Sequence, residues 1–238
     1  MTAIAVTYTS GQFLMAADGR GLSNVKPTDK SDGVRKIFRI SNIDGTFGYA
    51  LTGCIVSEDK SYNLVTESRA ALESLADKRF DTSLEYLLCI IESLNDTVNA
   101  AKRREPPPKG SGPIFARMIF AGFFKTEPTL MFIEFECDET RPRLSAGSPP
   151  PGEFCWLAGP PQFTPLFLNR DTRFREYIKP LNEQSSADEA EAFARGYIDA
   201  CSDLMAIEID PKCKDVGGHI HVAEIRTDGF HWRAAPLA

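Results

Sequence analysis

The sequence lacks the features by which several classes of protein are recognised. No apolar run is long enough to span a membrane, and no basic stretch opens the chain as in a secretion signal. Asp and Glu outnumber Lys and Arg by 33 to 27, and a net charge of −6 argues against a nucleic-acid partner. We therefore expect a cytoplasmic protein with neither nucleic acid nor membrane as a partner.

Signatures of metal and redox sites are also missing. The six cysteines include no C-x-x-C pair, and several lie in apolar segments, where cysteine usually behaves as a small buried hydrophobe. His219 and His221 alternate onto one face of a strand, but the sequence offers no third ligand for a metal ion. We therefore expect no disulfide, no metal and no cofactor.

The chain of 238 residues contains no internal repeat, no low-complexity segment and no break in composition. We expect a single domain over residues 1–238, which is long enough to bury one large core. Period-two patterning predicts strands over the first forty or so residues, and again near 45–54, 114–123, 130–135 and 154–157. Two helices are predicted between the second and third of these strand regions, and strands return at the end of the chain.

Capping signals mark where the helices begin. The second helix opens at Thr82-x-x-Glu85 and presents one apolar face that includes Leu84 and Leu88. A third helix begins near Ser186-x-x-Glu189 and is predicted to run through Leu204 and Met205. The order of strands, helices, strands, helices and strands indicates an α+β fold in which two sheets pack face to face with helices outside.

The most informative segment is the opening one. With Met1 removed, the chain would begin at Thr2, and a threonine at a free amino terminus carries a nucleophilic hydroxyl beside an α-amine that serves as its general base. A short apolar strand, a Ser-Gly turn and a second apolar strand that ends in Ala-Asp-Gly-Arg at 17–20 follow. Lys36 then opens a further apolar segment.

This order of residues resembles the proteasome β-subunit family, and in layout it is closest to bacterial members such as the HslV protease subunit. The segment Phe-Gly-Tyr-Ala-Leu-Thr-Gly-Cys at 47–54 and the Val-Gly-Gly at 216–218 are further matches. The likeness is firm over the first quarter of the chain, thin in the middle and moderate over the last few dozen residues. It implies the four-layer αββα sandwich of N-terminal-nucleophile hydrolases.

The resemblance also implies an active site. Members of the proteasome β-subunit family place a lysine beside the threonine hydroxyl and hold that lysine with a carboxylate. The resemblance therefore implies an active site of Thr2, Asp18 and Lys36. The backbone donor that stabilises the oxyanion is implied to lie at Thr52 and Gly53.

The chain departs from the family pattern at three of these places. Thr52 stands where members usually have a small residue, often glycine. Cys213 and Val216 stand where active members carry an aspartate and a serine that orient the threonine amine. Asp215 is near enough in sequence to replace the aspartate if the loop shifts.

We therefore expect a proteasome-like threonine peptidase or amidohydrolase that cleaves peptide or protein substrates inside a homo-oligomeric ring, with an unfoldase or cap partner left open. One alternative is a structural subunit without catalytic activity. Such a subunit would either retain Met1 or lack the pair of residues that orients the amine, because Cys213 and Val216 replace that pair. A self-contained amidase of small amides is the other. The proline-rich loops at 105–113 and 148–152 are expected to be solvated connections.

Overall fold

The computed structural model describes residues 2–22, 30–53, 56, 63–104 and 114–237 of the chain. The strands are β1 (Ile4–Thr9), β2 (Gln12–Ala17), β3 (Gly21–Leu22), β4 (Lys30–Ser31), β5 (Ile37–Asn42), β6 (Gly45–Gly53), β7 (Ile114–Phe124), β8 (Glu127–Glu136), β9 (Arg143–Gly147), β10 (Cys155–Ala158), β11 (His221–Arg226) and β12 (Gly229–Ala234). The helices are α1 (Leu64–Glu73), α2 (Ser83–Arg104), α3 (Thr164–Leu168), α4 (Ala187–Cys201) and α5 (Leu204–Ile209), with 3₁₀ turns at Thr172–Phe174 and Pro211–Asp215. The chain is therefore an α+β protein with few helices.

The chain divides into two compact units, and the single domain expected over 1–238 stays a prediction. The first unit consists of Met1–Phe38 with Pro149–Ala238, and the second of Arg39–Ser148. Each unit contains a sheet of five strands, in the order β10-β1-β2-β11-β12 in the first and β5-β6-β7-β8-β9 in the second. The pairs within the first sheet, and those from β6 to β9 in the second, are antiparallel.

The first unit is organised around the β1–β2 hairpin. Ser10 and Gly11 form its turn with φ angles of 49° and 73°, and two successive positive φ angles match the twist of the flanking strands. Helix α4 packs on β1 and β2, where the strands present small residues such as Ala5 and Ala16. The core between them is rich in aromatic rings, namely Phe163, Phe167, Phe174, Phe193 and Tyr197.

Helix α4 begins as predicted but ends earlier. The capping box is confirmed, because the Ser186 hydroxyl accepts from the Glu189 amide while the Glu189 carboxylate accepts from the Ser186 amide. The helix ends at Cys201, so the prediction that it runs through Leu204 and Met205 is wrong. These two residues begin the separate helix α5, with 79% and 41% of their surface exposed.

In the second unit, helix α2 buries part of the predicted face. Its buried residues are Tyr86, Leu87, Ile90, Leu94, Val98 and Ala101, whereas Leu84 and Leu88 are 64% and 48% exposed. The prediction was therefore wrong for these two leucines, because Tyr86 packs against Phe47 and Phe80 and sets the rotation of the helix. The Thr82 hydroxyl accepts from the Glu85 amide, but the Glu85 carboxylate accepts from Asp81 instead of Thr82.

The two proline-rich loops differ in what the structure describes. The loop at 148–152 is exposed over most of its length, whereas the loop at 105–113 lies outside the described residues. None of the helices in the described part of the chain is both long and apolar enough to cross a membrane.

Adjacent residues on α3 provide a test of the first unit's core. Phe167 is 1% exposed and packs against Phe193 and Tyr197, whereas Leu168 is 48% exposed. Because truncating a buried aromatic ring leaves a cavity, Phe167→Ala should lower the free energy of unfolding in urea by about 3–5 kcal/mol. Leu168→Ala should change it by about 0.5 kcal/mol at most, and equal losses in the two variants would contradict this packing.

Candidate active site

The carboxylate of Asp18, at the end of β2, accepts four hydrogen bonds in the first unit. Oδ1 accepts from the Ala3 amide and from Lys36 Nζ, both at 2.9 Å. Oδ2 accepts from the amides of Arg20 and Gly217, both at 3.2 Å. The residue is completely buried, and so many donors compensate the cost of burying its charge. Asp18 thereby fixes four separate points of the chain relative to one another.

Lys36 lies immediately before β5 and is the partner of this carboxylate. The distance from its Nζ to Asp18 Oδ1 is 2.9 Å, and its side chain is only 3% exposed. Burial lowers the pKa of Lys36, Asp18 acts in the opposite direction, and the nearby Arg20 cation lowers it further, so that the pKa lies below its ordinary value. A buried lysine with a lowered pKa is typical of a functional site.

Thr2 directly precedes Ala3, whose backbone is bonded to Asp18 of this ion pair. The neighbouring Ala3 exchanges two bonds with Asp18, because its amide donates to Oδ1 at 2.9 Å and its carbonyl accepts from the Asp18 amide at 3.1 Å. Thr2 is itself buried, with 8% of its surface exposed. No hydrogen bond within the described residues joins the Thr2 hydroxyl to Lys36. The structure therefore brings Asp18 and Lys36 into contact and places Thr2 beside them.

The loop before β11 is held against the end of β2 by a second set of contacts. Arg20 donates from Nε to Asp32 Oδ1 at 2.9 Å and from Nη1 to the Val216 carbonyl at 2.9 Å. The amide of His219 donates to the Asp32 carbonyl at 2.8 Å. Gly217 has a φ of 139°, and a Cβ there would lie 2.9 Å from the Arg20 guanidinium. Only glycine lets this loop approach Asp18 so closely.

Thr52 and Gly53, the predicted oxyanion residues, end strand β6 in the second unit. Gly53 has a φ of 110°, and a Cβ there would lie 2.3 Å from the Phe115 carbonyl oxygen. The turn therefore requires glycine at this position. Thr52 is 9% exposed, and the following Cys54 lies outside the described residues. The role of this turn as an oxyanion donor stays a prediction.

The two residues that stand in place of the family's amine-orienting pair lie in the core. Cys213 and Val216 are buried in the core of the first unit. Burial, with the nearby Asp210 charge, raises the pKa of the Cys213 thiol to about 12. Asp215 ends the 3₁₀ turn, and its role toward the Thr2 amine stays a prediction.

His219 lies two residues before β11, whereas His221 is its first residue, and the two rings form different bonds. Their ring centroids are 5.9 Å apart. His219 Nε2 is bonded to the Ala235 carbonyl at 2.7 Å, whereas His221 Nε2 accepts the backbone amide of Lys36 at 3.3 Å. Among the described residues, no group of three or more His, Cys, Asp or Glu is arranged to hold a metal ion.

The sequence did not predict three contacts of this site, which are made by Arg20, Gly217 and His221. Arg20 stands in the Ala-Asp-Gly-Arg segment, and a cation two residues after a buried carboxylate was a usable signal. The amide of Gly217 and the ring of His221 reach Asp18 and Lys36 over separations of 199 and 185 residues. No local pattern could have indicated either contact.

No family model matches the chain, and no curated protein sequence matches it. Solved structures of Anbu, an ancestral beta-subunit, are similar to it. Anbu from Yersinia bercovieri aligns with a TM-score of 0.59 and 12% identity, covering 98% of this chain and 87% of that one. Anbu from Hyphomicrobium sp. strain MC1 gives 0.57 and 16%, covering 98% and 85%. A structure described as the helical assembly of the Anbu complex from Pseudomonas aeruginosa gives 0.57 and 12%, covering 100% and 84%.

These findings correct the family assignment made from the sequence. The assignment to proteasome β-subunits with an HslV-like layout is wrong, because the similar structures are Anbu proteins. The threonine, carboxylate and lysine that carried the resemblance are too few to identify a family. Identities of 12–16% establish the fold alone.

The buried ion pair predicts a large effect of a nearly isosteric substitution. Asp18→Asn keeps an acceptor oxygen but leaves the Lys36 ammonium buried without a counter-charge. We expect the free energy of unfolding in urea to fall by about 3–5 kcal/mol and the pKa of Lys36, followed by NMR of its side chain, to fall further.

An exposed ion pair in the second unit is the control for this prediction. Arg69 and Glu73 on α1 are bonded at 2.7 Å with side chains that are 58% and 62% exposed. Because solvent screens such pairs, Glu73→Gln should change stability by about 0.5 kcal/mol or less. An effect of Asp18→Asn no larger than this would contradict the buried pair.

His221 predicts a dependence of stability on pH. Burial, followed by the Lys36 charge, lowers the pKa of His221 from 6.5 to about 4. Between these values the unfolded chain binds a proton that the folded chain does not, so the free energy of unfolding should fall as the pH is lowered through this window. Urea unfolding should show a weaker fall in His221→Gln, which has no titrating ring. Identical pH dependence in both proteins would contradict the shift.

Proposed function

We propose that this protein is an amide-bond hydrolase of the N-terminal-nucleophile type, in which Thr2 becomes the nucleophile once whatever precedes it has been removed. The observation that carries the proposal is the buried Asp18–Lys36 ion pair, held by the residue next to Thr2. The likeness to Anbu, a proteasome-like subunit, over 98–100% of the chain supports it. The four-layer αββα sandwich of such hydrolases belongs to the same proposal.

The proposed reaction uses groups that this chain contains. The Thr2 hydroxyl oxygen attacks the carbonyl carbon of a peptide bond and passes its proton to the α-amine, whose reference pKa of about 7.7–8.0 leaves a usable fraction unprotonated at neutral pH. Lys36, held by Asp18, favours the free amine through its charge. The leaving amine takes up the proton, the chain holds the acyl group as an ester, and water releases it.

Two further roles belong to this proposal. The backbone at Thr52 and Gly53 donates to the developing oxyanion, which is worth about 3 kcal/mol for each donor. Asp215 is the residue proposed to orient the α-amine of Thr2 with its carboxylate. Cys213 offers only a thiol with a raised pKa, and Val216 offers no polar side chain.

In this proposal, the protein forms a homo-oligomer in the cytoplasm and acts on peptides or proteins. The description of the Pseudomonas aeruginosa neighbour as a helical assembly supports self-association. Whether this chain forms a closed ring or a helical assembly is decided by electron microscopy of the purified protein. An unfoldase or cap is left open.

A catalytically silent subunit is the second candidate, and specific observations favour it. Cys213 and Val216 are core residues instead of polar groups that would orient the amine. The Thr2 hydroxyl also makes no hydrogen bond to Lys36 among the residues described. No observation within that part of the chain favours the self-contained amidase.

The test of the proposal is the formation of an adduct on Thr2. Protein expressed in cells with normal aminopeptidase is expected to lose Met1, as measured by intact mass. A peptide epoxyketone, which reacts with both the free amine and the hydroxyl, should then form a morpholino adduct that fragmentation mass spectrometry places on Thr2. The adduct should persist in Thr2→Ser and be absent in Thr2→Ala.

The outcomes separate the two candidates. Lys36→Met, shown to be folded by circular dichroism, should be trimmed but lose about 10-fold in its rate of adduct formation, which is the effect of a rise of about one unit in the pKa of the α-amine. A wild-type chain that is correctly trimmed but forms no adduct would overturn the proposed hydrolase and favour the silent subunit. Retention of Met1 would exclude the reaction by this route.

A further inference from the structure

Lys36 is held at both of its ends. Its ammonium donates to Asp18 Oδ1 at 2.9 Å, and its backbone amide donates to His221 Nε2 at 3.3 Å. His221 is the first residue of β11 and is completely buried. The backbone amide directly before β5 therefore donates to an imidazole nitrogen.

The register of the sheet places His221 at the same edge as Thr2. His221 is opposite Ala17, and Ala17 is opposite Ile4. Residues directly opposite in antiparallel strands share a face, so His221 lies on the same face as Ile4, which is the first residue of β1 and follows Thr2 by two positions. His221 therefore belongs to the surroundings of Thr2 and Lys36, although the metal hypothesis gave it a different role.

The bond requires one protonation state of the ring. An imidazole nitrogen that accepts a hydrogen bond carries no proton, so the neutral tautomer with its proton on Nδ1 is needed. Nδ1 is buried and has no hydrogen-bond partner within the described residues. The titratable groups that face the ring are Lys36, His219 and Arg35, and each of them lowers the pKa of His221.

We propose that His221 is a positioning residue that fixes the backbone of Lys36, so that the lysine ammonium reaches Asp18 from a single direction. The part that this lysine plays in hydrolysis rests on the proposed function, whereas the bond from its amide to the ring does not. His221 itself touches no reacting atom in this proposal.

The experiment compares acceptors at two positions. The side-chain oxygen of Gln reaches the place of Nε2, whereas that of Asn reaches the place of Nδ1. His221→Gln should therefore keep the bond to the Lys36 amide, while His221→Asn and His221→Phe should lose it. These three variants separate the position of the acceptor from polarity and from ring volume.

Amide hydrogen exchange of Lys36, measured by NMR, reads the bond directly. Losing one hydrogen bond of ordinary strength corresponds to about a tenfold faster exchange. We expect this change in His221→Asn and His221→Phe, and protection close to that of the wild type in His221→Gln. The amides of Met15 and Ala223, which pair across β2 and β11, should keep their protection and so report on the intact sheet.

A second measurement needs no variant. In the wild-type protein, the Lys36 amide should lose its protection as the pH falls through about 4, where His221 gains its second proton, while the amides of Met15 and Ala223 keep theirs. Unchanged protection of Lys36 in His221→Phe, or equal loss in the Gln and Asn variants, would overturn the inference. If a variant does not fold, protection that persists below this pH in the wild type overturns it equally.

Turnover provides the link to the proposed function. If the wild type forms the Thr2 adduct, His221→Phe should lower kcat with little change in KM, and His221→Gln should restore it. A wild type with a protected Lys36 amide but no adduct would remove the proposed function and leave the role of His221 intact. The two failures are therefore distinguishable.

Discussion

The first unit depends on one completely buried carboxylate. Asp18 receives donors from the residue after Thr2, from Arg20, from Lys36 and from the loop at Gly217. An ionised carboxylate is costly to bury unless its oxygens are paired, so each of these contacts is also a condition for the others. The four segments come from both ends of the chain, which means that the site exists only when the first unit has folded around it.

The state of Lys36 follows from a competition at this carboxylate. Desolvation acts against the ammonium, and the attraction to Asp18 acts for it. Asp18 shares its charge among four donors, three of which are backbone amides, and the Arg20 cation lies close by. The balance therefore lowers the pKa of Lys36 below its ordinary value, even though its counter-charge is only 2.9 Å away. The same cation that anchors the loop before β11 thus also influences the lysine.

Local patterns in the sequence predicted what depends on local structure. The β1–β2 hairpin follows from a Ser-Gly turn between apolar segments, and the start of α4 follows from the capping box at Ser186. The rotation of α2 did not follow from its leucines, because contacts of Tyr86 with distant rings decide which face is buried. Asp18 and Lys36 could be selected from their order in the chain, but the donors at Gly217 and the acceptor at His221 depend on pairing across almost the whole sequence.

The buried ion pair of Asp18 and Lys36 favours a hydrolase over a catalytically silent subunit. A subunit with only a structural role gains little from a lysine and an aspartate that are both almost fully buried, because apolar residues of similar volume are often equally or more stabilising. Cys213 and Val216 show that this chain fills the neighbouring core with uncharged side chains. It nevertheless retains the charged pair beside Thr2, with every oxygen of Asp18 bonded. That contrast is easier to explain if the charges take part in chemistry than if they only hold the fold together.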